Sequence, residues 1–275
     1  MKAEGRIDSV AQSICRGLVM AEDKASSLIL LKKHLVAHPE AKAQIWSSFG
    51  VPAVLLQEIA KSYVYFQHST ISSLPHSLFL TLEIMIEMCP LPEFREMCVS
   101  AQLPLFLYPI LNLSSRADNI ETIKTLSLTF ISILLDEKED NCKPIEFFKN
   151  TELVPLCLRN MELGSEKTKL AASQVFYSII STRKGLEYTC QTYDRFMATS
   201  MILNSVLTQM ETLQSPELLE IVIKTYTKLC GMPNAKIVFS KNRPQMLYAE
   251  HIREMVRSNP AVKAAYEDFL YTLQN

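Results

Sequence analysis

Phe49-Gly50-Val51-Pro52-Ala53-Val54-Leu55-Leu56 sets a proline at the head of a nearly all-apolar run, and the chain does this twice more. Ala101-Gln102-Leu103-Pro104-Leu105-Phe106-Leu107 and Thr151-Glu152-Leu153-Val154-Pro155-Leu156-Cys157-Leu158 repeat the pattern, with their prolines 52 and 51 residues apart. Proline is tolerated in the first turn of a helix, where its missing N–H is no loss and its fixed φ already suits the helix. The run behind each proline is apolar nearly all round, which predicts a helix buried on most sides. A buried helix returning at a fixed interval marks stacked repeats, each covering its neighbour's core. The predicted fold class is all-α, an α-solenoid, and solenoids usually bind rather than catalyse.

Bulk properties are consistent with this. A chain of 275 residues can bury roughly three quarters of its unfolded surface and needs no disulfide or metal to stay folded. Only six glycines argue against β-rich folds with tight turns and against phosphate-cradling loops. The formal net charge is −1, without the basic excess that tight non-specific nucleic-acid binders carry. The cysteines, Cys15, Cys89, Cys98, Cys142, Cys157, Cys190 and Cys230, are odd in number and show no Cys-x-x-Cys spacing. They read as buried thiols acting as small hydrophobes in a reducing compartment. Met1 to Asp8 is polar, and no apolar run reaches the roughly 18 residues that span a bilayer. No membrane association is expected, and the location expected is cytoplasmic, with the nucleus also open.

Along the chain the rhythm is short helix, short helix, long buried helix. Residues 8–37 read as two helices, with Asp8 and Ser9 capping the first and Leu28, Leu31 and Leu35 on the second. A corner from Trp46 to Gly50 precedes the first proline-headed helix, whose apolar positions are Val54, Leu55, Ile59 and Val64. A polar connection at 67–73 follows, then a helix opened by Pro75 and a short one from Pro92 to Val99. The second proline-headed helix is predicted from Pro104 to about Leu113, and Asn119 caps a long helix with Ile123, Leu126, Phe130 and Leu134 on one stripe. The charged stretch 136–140 reads as a solvated loop and 144–149 as a short helix. Pro155 opens the next buried helix, Gly164-Ser165 breaks and recaps before 166–181, and Ser215-Pro216 starts another at Leu218. Met232-Pro233-Asn234 reads as a turn. Triplets of about 45–50 residues are armadillo-like, and without a linker or composition shift residues 1–275 read as one domain.

Enzymatic signatures fail: the sequence holds no Gly-x-Ser-x-Gly, no His-Glu-x-x-His and no Walker loop. No cofactor or metal is implied. His34 and His38 stand four apart, but Pro39 ends that helix and no acid partner is evident. The exposed chemistry is aromatic and cationic, in Tyr188, Tyr193, Arg195 and Phe196. Tyr193 and Arg195 could line a pocket for an aromatic guest by stacking and cation–π contact. The pattern alone favours a plainer arrangement, with Tyr193 and Phe196 in the core and Arg195 paired to Asp194. A nucleic-acid-binding groove is the alternative function, carried by Lys32, Lys33, Lys61, Arg95, Lys124, Lys169, Arg183 and Lys184 if they converge on one face.

Four segments together resemble a known family: Trp46 to Ile59, Leu103 to Pro109, Pro155 to Ser165 and Cys190 to Phe196. They look like the "required for cell differentiation" family of the Caf-forty type, the ninth subunit of the CCR–NOT deadenylase complex. The likeness spans about residues 20–235 in register. It implies a non-catalytic armadillo-repeat adaptor that docks on the large NOT scaffold, with other CCR–NOT subunits as partners, in mRNA deadenylation, decay and translational repression. The family's scaffold-facing motif falls on Trp46, Phe49 and Ala53, with Ser47 where the family has histidine. Its tryptophan pockets, which take tryptophan-bearing regulatory proteins, match at Tyr193 and Arg195; Ala198 and Asn234 replace a histidine and an arginine. A groove for partner helices falls at Ala171, where the family has valine. The family reading is also compatible with a homodimer.

Overall fold

In a computed structural model the protein is described over residues 9–66, 74–135 and 151–274. The expected Asp8 cap, the 67–73 connection, the 136–140 loop, the 144–149 helix and Cys142 lie outside these residues. Among the described residues all regular structure is helical, as the proline-headed runs predict. The chain groups into two compact units, Met1–Leu134 and Leu135–Asn275.

The first unit holds α1 (Ser9–Met20), α2 (Lys24–Ala37), α3 (Lys42–Ser47), α4 (Val51–Phe66), α5 (His76–Met88), α6 (Pro92–Ser100), a 3₁₀ segment Leu103–Leu107, α7 (Tyr108–Leu111) and α8 (Asp118–Leu135). Asp23 caps α2 by accepting from the Ala25 N–H at 3.1 Å. Beside it, Lys24 reaches back with Nζ to the carbonyls of Leu18 and Val19 at 2.9 and 3.0 Å, satisfying the open end of α1. Pro52 is the second residue of α4, as its chemistry requires. The helix α2 packs along α5, and α1 rests on α2 and α4. Fully buried Leu28, Leu31, Leu35, Ile59, Leu78 and Leu82 fill the space between them.

Three details differ from the sequence reading. Val64 is exposed, on the outer side of α4. Leu126 is only half-buried, and Leu128 and Ile131 take the core positions on α8. The segment behind Pro104 is not a long helix: it forms 3₁₀ turns and a single α-turn. The physical reason is Pro109, which has no N–H to give to Leu105 four residues back, so the ladder tightens and Tyr108 N–H donates to Leu105 instead.

The second unit holds α9 (Leu153–Leu163), α10 (Glu166–Ile180), α11 (Arg183–Thr189), α12 (Tyr193–Leu213), α13 (Pro216–Leu229), α14 (Pro233–Lys241), a 3₁₀ turn Gln245–Tyr248, α15 (Glu250–Ser258) and α16 (Pro260–Gln274). Pro155 lies in the first turn of α9. Ser165 caps α10, accepting from Thr168 N–H. Pro233 opens α14 rather than resting in a turn. The long helices α10, α13 and α16 pack in series, α10 on α13 and α13 on α16, and their first residues fall 50 and 44 apart. Lys169, 3% exposed, sends its ammonium to the Met161 carbonyl at 3.0 Å and to that of Glu162, closing the end of α9 from within the core. An aromatic cluster ties the later helices: Tyr226 meets Phe239 edge-on at 5.3 Å and Phe269 at 5.9 Å, and Phe239 meets Phe196 at 5.3 Å.

The described cysteines are unpaired thiols, all buried except half-buried Cys190. Burial holds each above its ordinary range, Cys89 up to about 12 and Cys190 and Cys230 up to about 11, because a thiolate there would lose its hydration. The pH consequence has one sign. Below the ordinary thiol value of 9.0 both folded and unfolded chains hold these protons. Above it only the unfolded chain releases them. Urea-unfolding free energy is therefore expected to be flat from pH 7 to 8.5 and to fall between pH 9 and 11; a rise across that window would contradict the burial of these thiols.

Candidate functional site

The first surface is built on the corner between α3 and α4. Gly50 has φ +84°, a left-handed conformation that favours glycine, and an added Cβ would lie 2.8 Å from Cγ2 of Val19. The corner, pressed against α1, therefore favours glycine. Trp46 points inward from α3 and meets Phe94 edge-on at 4.6 Å; Phe94 in turn meets Phe130 at 6.2 Å. With Trp46 half-buried against Phe94 and Gly50 fixing the turn, Phe49 is left 96% exposed. Ala53, in the first turn of α4, is also exposed. The three predicted residues thus divide into one anchor and two presented positions. Ser47 is exposed, and its hydroxyl donates back to the carbonyls of Ala43 and Gln44 at 2.9 and 3.1 Å, so that donor is spent within its own helix.

Beside Phe49 the corner and α1 enclose an open cleft of about 530 Å³, with Gln12, Arg16, Val19, Met20 and Phe49 among its lining. Gln12, Arg16 and Met20 follow at four-residue spacing, so they share one face of α1, and all three are exposed. Cys15 packs behind this face with its thiol hydrogen-bonded to Ser48, stitching α1 to the corner. Sequence reading passed over this face. Its only signal was the spacing, with a methionine at its end.

The second surface lies at the start of α12. Thr182 caps α11, accepting from the Gly185 N–H at 3.1 Å, and Thr192 caps α12, accepting from the Arg195 N–H at 3.3 Å. These caps fix the two helices so that Arg195 Cζ stands 4.2 Å from the centre of the Tyr188 ring. Its Nη1 donates to Gln191 Oε1 at 2.8 Å and to the Tyr188 carbonyl at 3.4 Å. The plainer arrangement expected from the sequence is corrected on two points. Tyr193 is 71% exposed rather than core, and the Arg195 guanidinium is held by Tyr188 and Gln191 rather than by Asp194. Phe196 is buried as expected, anchoring the first turn of α12 against Phe239. The segment Cys190 to Phe196 thus keeps one aromatic ring inside and presents a phenol and a cation outside. Ala198 and Asn234, both exposed, add neither charge nor an aromatic ring.

Ala171 is 6% exposed, within the first half of α10, whose buried residues surround it on most sides. The basic residues of the nucleic-acid alternative do not form one free set. Lys32 pairs with Glu83 at 2.8 Å, Lys61 with Glu58 at 2.9 Å and Arg183 with Glu187 at 2.9 Å. Lys124 is buried against Glu121 and Lys169 is spent on carbonyls. His38, for which no acid partner was expected, has Glu40 at 3.2 Å from Nδ1. Among the described residues no group of three His, Cys, Asp or Glu side chains could hold a metal ion, and no helix is long and apolar enough to cross a membrane.

Comparison with known proteins agrees with the motifs. The profile of the cell differentiation family, Rcd1-like, matches residues 15–273. That extends beyond the 20–235 over which the motifs carry the likeness. The cell differentiation protein rcd1 of Schizosaccharomyces pombe is 30% identical over 260 residues, covering 94% of this chain and 91% of that protein. Protein CAF40 of Saccharomyces cerevisiae is 30% identical over 262 residues, covering 94% of this chain and 69% of that protein.

Proposed function

This chain belongs to the cell differentiation family, Rcd1-like, and from that premise we propose that it is a non-catalytic adaptor subunit of the CCR–NOT deadenylase complex. In this reading the helices form an armadillo-like repeat domain, and their outer surfaces dock other chains. The large NOT scaffold seats on the α3–α4 corner, and regulatory proteins bring tryptophans to Tyr193 and Arg195 or helices to the groove floored by Ala171. The role served is mRNA deadenylation, decay and translational repression, in the cytoplasm and nucleus.

The observation that carries the proposal is Phe49. Phe49, 96% exposed, shares its cleft with Met20, 79% exposed, and adjoining exposed apolar side chains of this kind mark interaction sites. Hot spots of protein interfaces are aromatic anchors of this kind. Tyr193 and Arg195 support the second docking role, since a tryptophan can stack on a phenol and a guanidinium together. A buried tryptophan offers roughly 150–250 Å², or about 4–6 kcal/mol gross at about 25 cal/mol per Å². Association entropy consumes much of that, so one pocket binds weakly. Two linked tryptophans could gain about 10²–10⁴-fold, but Ala198 and Asn234 leave the second pocket without its cation and imidazole. This chain is therefore proposed to bind tryptophan-bearing partners through one pocket. The paired and buried state of five of the eight candidate basic residues gives nucleic-acid binding no comparable support.

Affinity purification of the tagged chain from its own cells, read by mass spectrometry, tests the proposal. The NOT scaffold and the deadenylase subunits are expected in the eluate, and their consistent absence would overturn it.

A further inference from the structure

The cleft beside Phe49 contains a charge with no counterpart among the described residues. Among the described residues Arg16, exposed on the rim, makes no hydrogen bond or ion pair, and no carboxylate lines the cleft. The two serines of the lining do not supply an acceptor of opposite charge: Ser47 and Ser48 donate to carbonyls of α3 at 2.8–3.1 Å. The remaining lining is mixed, with the amides of Gln12 and Gln44 beside an apolar ledge of Val19, Met20 and Phe49, the last two 79% and 96% exposed. A guanidinium beside an apolar ledge is suited to a carboxylate carried next to an apolar side chain.

We infer that the scaffold segment docking on Phe49 places an acidic side chain in this cleft against Arg16, with its neighbouring apolar side chain laid over Met20 and Phe49. The inference rests on the docking role proposed above and adds the partner's chemistry. Charge complementarity selects the occupant: of the groups that could fill the cleft, an anionic one gains both a bidentate pair and the desolvated apolar contact. The pair also orients the segment. An apolar anchor alone allows rotation about Phe49, whereas a second point of attachment on α1 fixes the direction in which the segment runs.

The test measures binding of the full-length chain to the NOT scaffold fragment at low and at 0.5 M salt, using wild type, Arg16→Glu, Arg16→Gln and Phe49→Ala. Arg16 is exposed on a helix, so these variants are expected to keep the wild-type circular dichroism and melting temperature. Arg16→Glu is expected to weaken binding by about tenfold or more at low salt and Arg16→Gln by less, with most of the difference gone at high salt. An Asp or Glu to Arg change in the scaffold fragment is expected to restore binding to Arg16→Glu. Equal binding by wild type and Arg16→Glu at both salts, with Phe49→Ala still impaired, would overturn the carboxylate site and leave the docking surface standing. Undiminished binding by Phe49→Ala would overturn the docking surface itself, and the inference with it. Loss of oligonucleotide binding, instead of scaffold binding, on Arg16→Glu would reassign the cleft to phosphate.

Discussion

A Phe49→Ala, Ala53→Tyr double variant is expected to lose co-purification with the NOT scaffold while keeping its helical circular dichroism and melting temperature. The fold should survive because neither side chain is in the core: Phe49 is 96% exposed, and Ala53 faces solvent in the first turn of α4. The corner itself is held by Gly50 against Val19 and by Trp46 against Phe94, which the variant leaves untouched. Binding should suffer twice. Removing a buried aromatic anchor costs about 2–4 kcal/mol at a hot spot, and the new tyrosine ring would obstruct a partner laid against the first turn of α4. Together these amount to roughly a 100-fold loss or more. Pull-down with the scaffold fragment and isothermal titration measure it. Affinity within about threefold of wild type would place the scaffold elsewhere.

Gly185→Ala is expected to unsettle the second unit more than any exposed change. Gly185 is buried at the start of α11, where an added Cβ would overlap the carbonyl oxygen of Ile179 and lie 2.7 Å from its carbon. The obstacle is backbone at the end of α10, not a flexible side chain, so α11 must move away. The Thr182 cap and the Thr189 hydroxyl bond to the Gly185 carbonyl at 2.9 Å would be strained with it. A cost of about 3 kcal/mol or more follows from overpacking against backbone, or a melting temperature lower by about 6–12 °C for a chain this long. The functional consequence is specific, because Tyr188 rides on α11 and Arg195 stands over its ring. A tryptophan-containing peptide should bind Gly185→Ala less well even at temperatures where it is folded, while scaffold binding at Phe49 persists. A melting temperature within 2 °C of wild type would refute the close approach.

Much of this was legible in the sequence, and the failures have physical causes. Pro52 and Pro155 announced first turns correctly because nothing downstream contradicts them. Pro104 misled because Pro109, five residues on, removes the donor that a longer helix would need. Apolar periodicity finds faces, but it does not say which apolar residue is the outer one, and so Val64 was assigned to a core it does not reach. The exposure of Phe49 could not come from hydrophobicity, which assigns a phenylalanine to the interior. It depends on the left-handed Gly50 and on Val19, 31 residues earlier in the chain. Arg195 paired with Tyr188 rather than Asp194 for a similar reason: the cap at Thr192 sets the register of α12, and adjacent residues on a helix do not face one another. The face of α1 carrying Arg16 and Met20 matters through a corner that the chain reaches only at Gly50, and local reading has no access to that pairing.

The lysines turned inward have a practical consequence for anyone mapping the assembled complex. Lys124 and Lys169 are each 3% exposed, one ammonium held by Glu121 and the other by the carbonyl end of α9. Amine-reactive cross-linkers and acetyltransferases alike need a free, solvated nitrogen. Both residues should therefore be silent in such experiments while the chain is folded, and label appearing on them would report a molecule that has come apart.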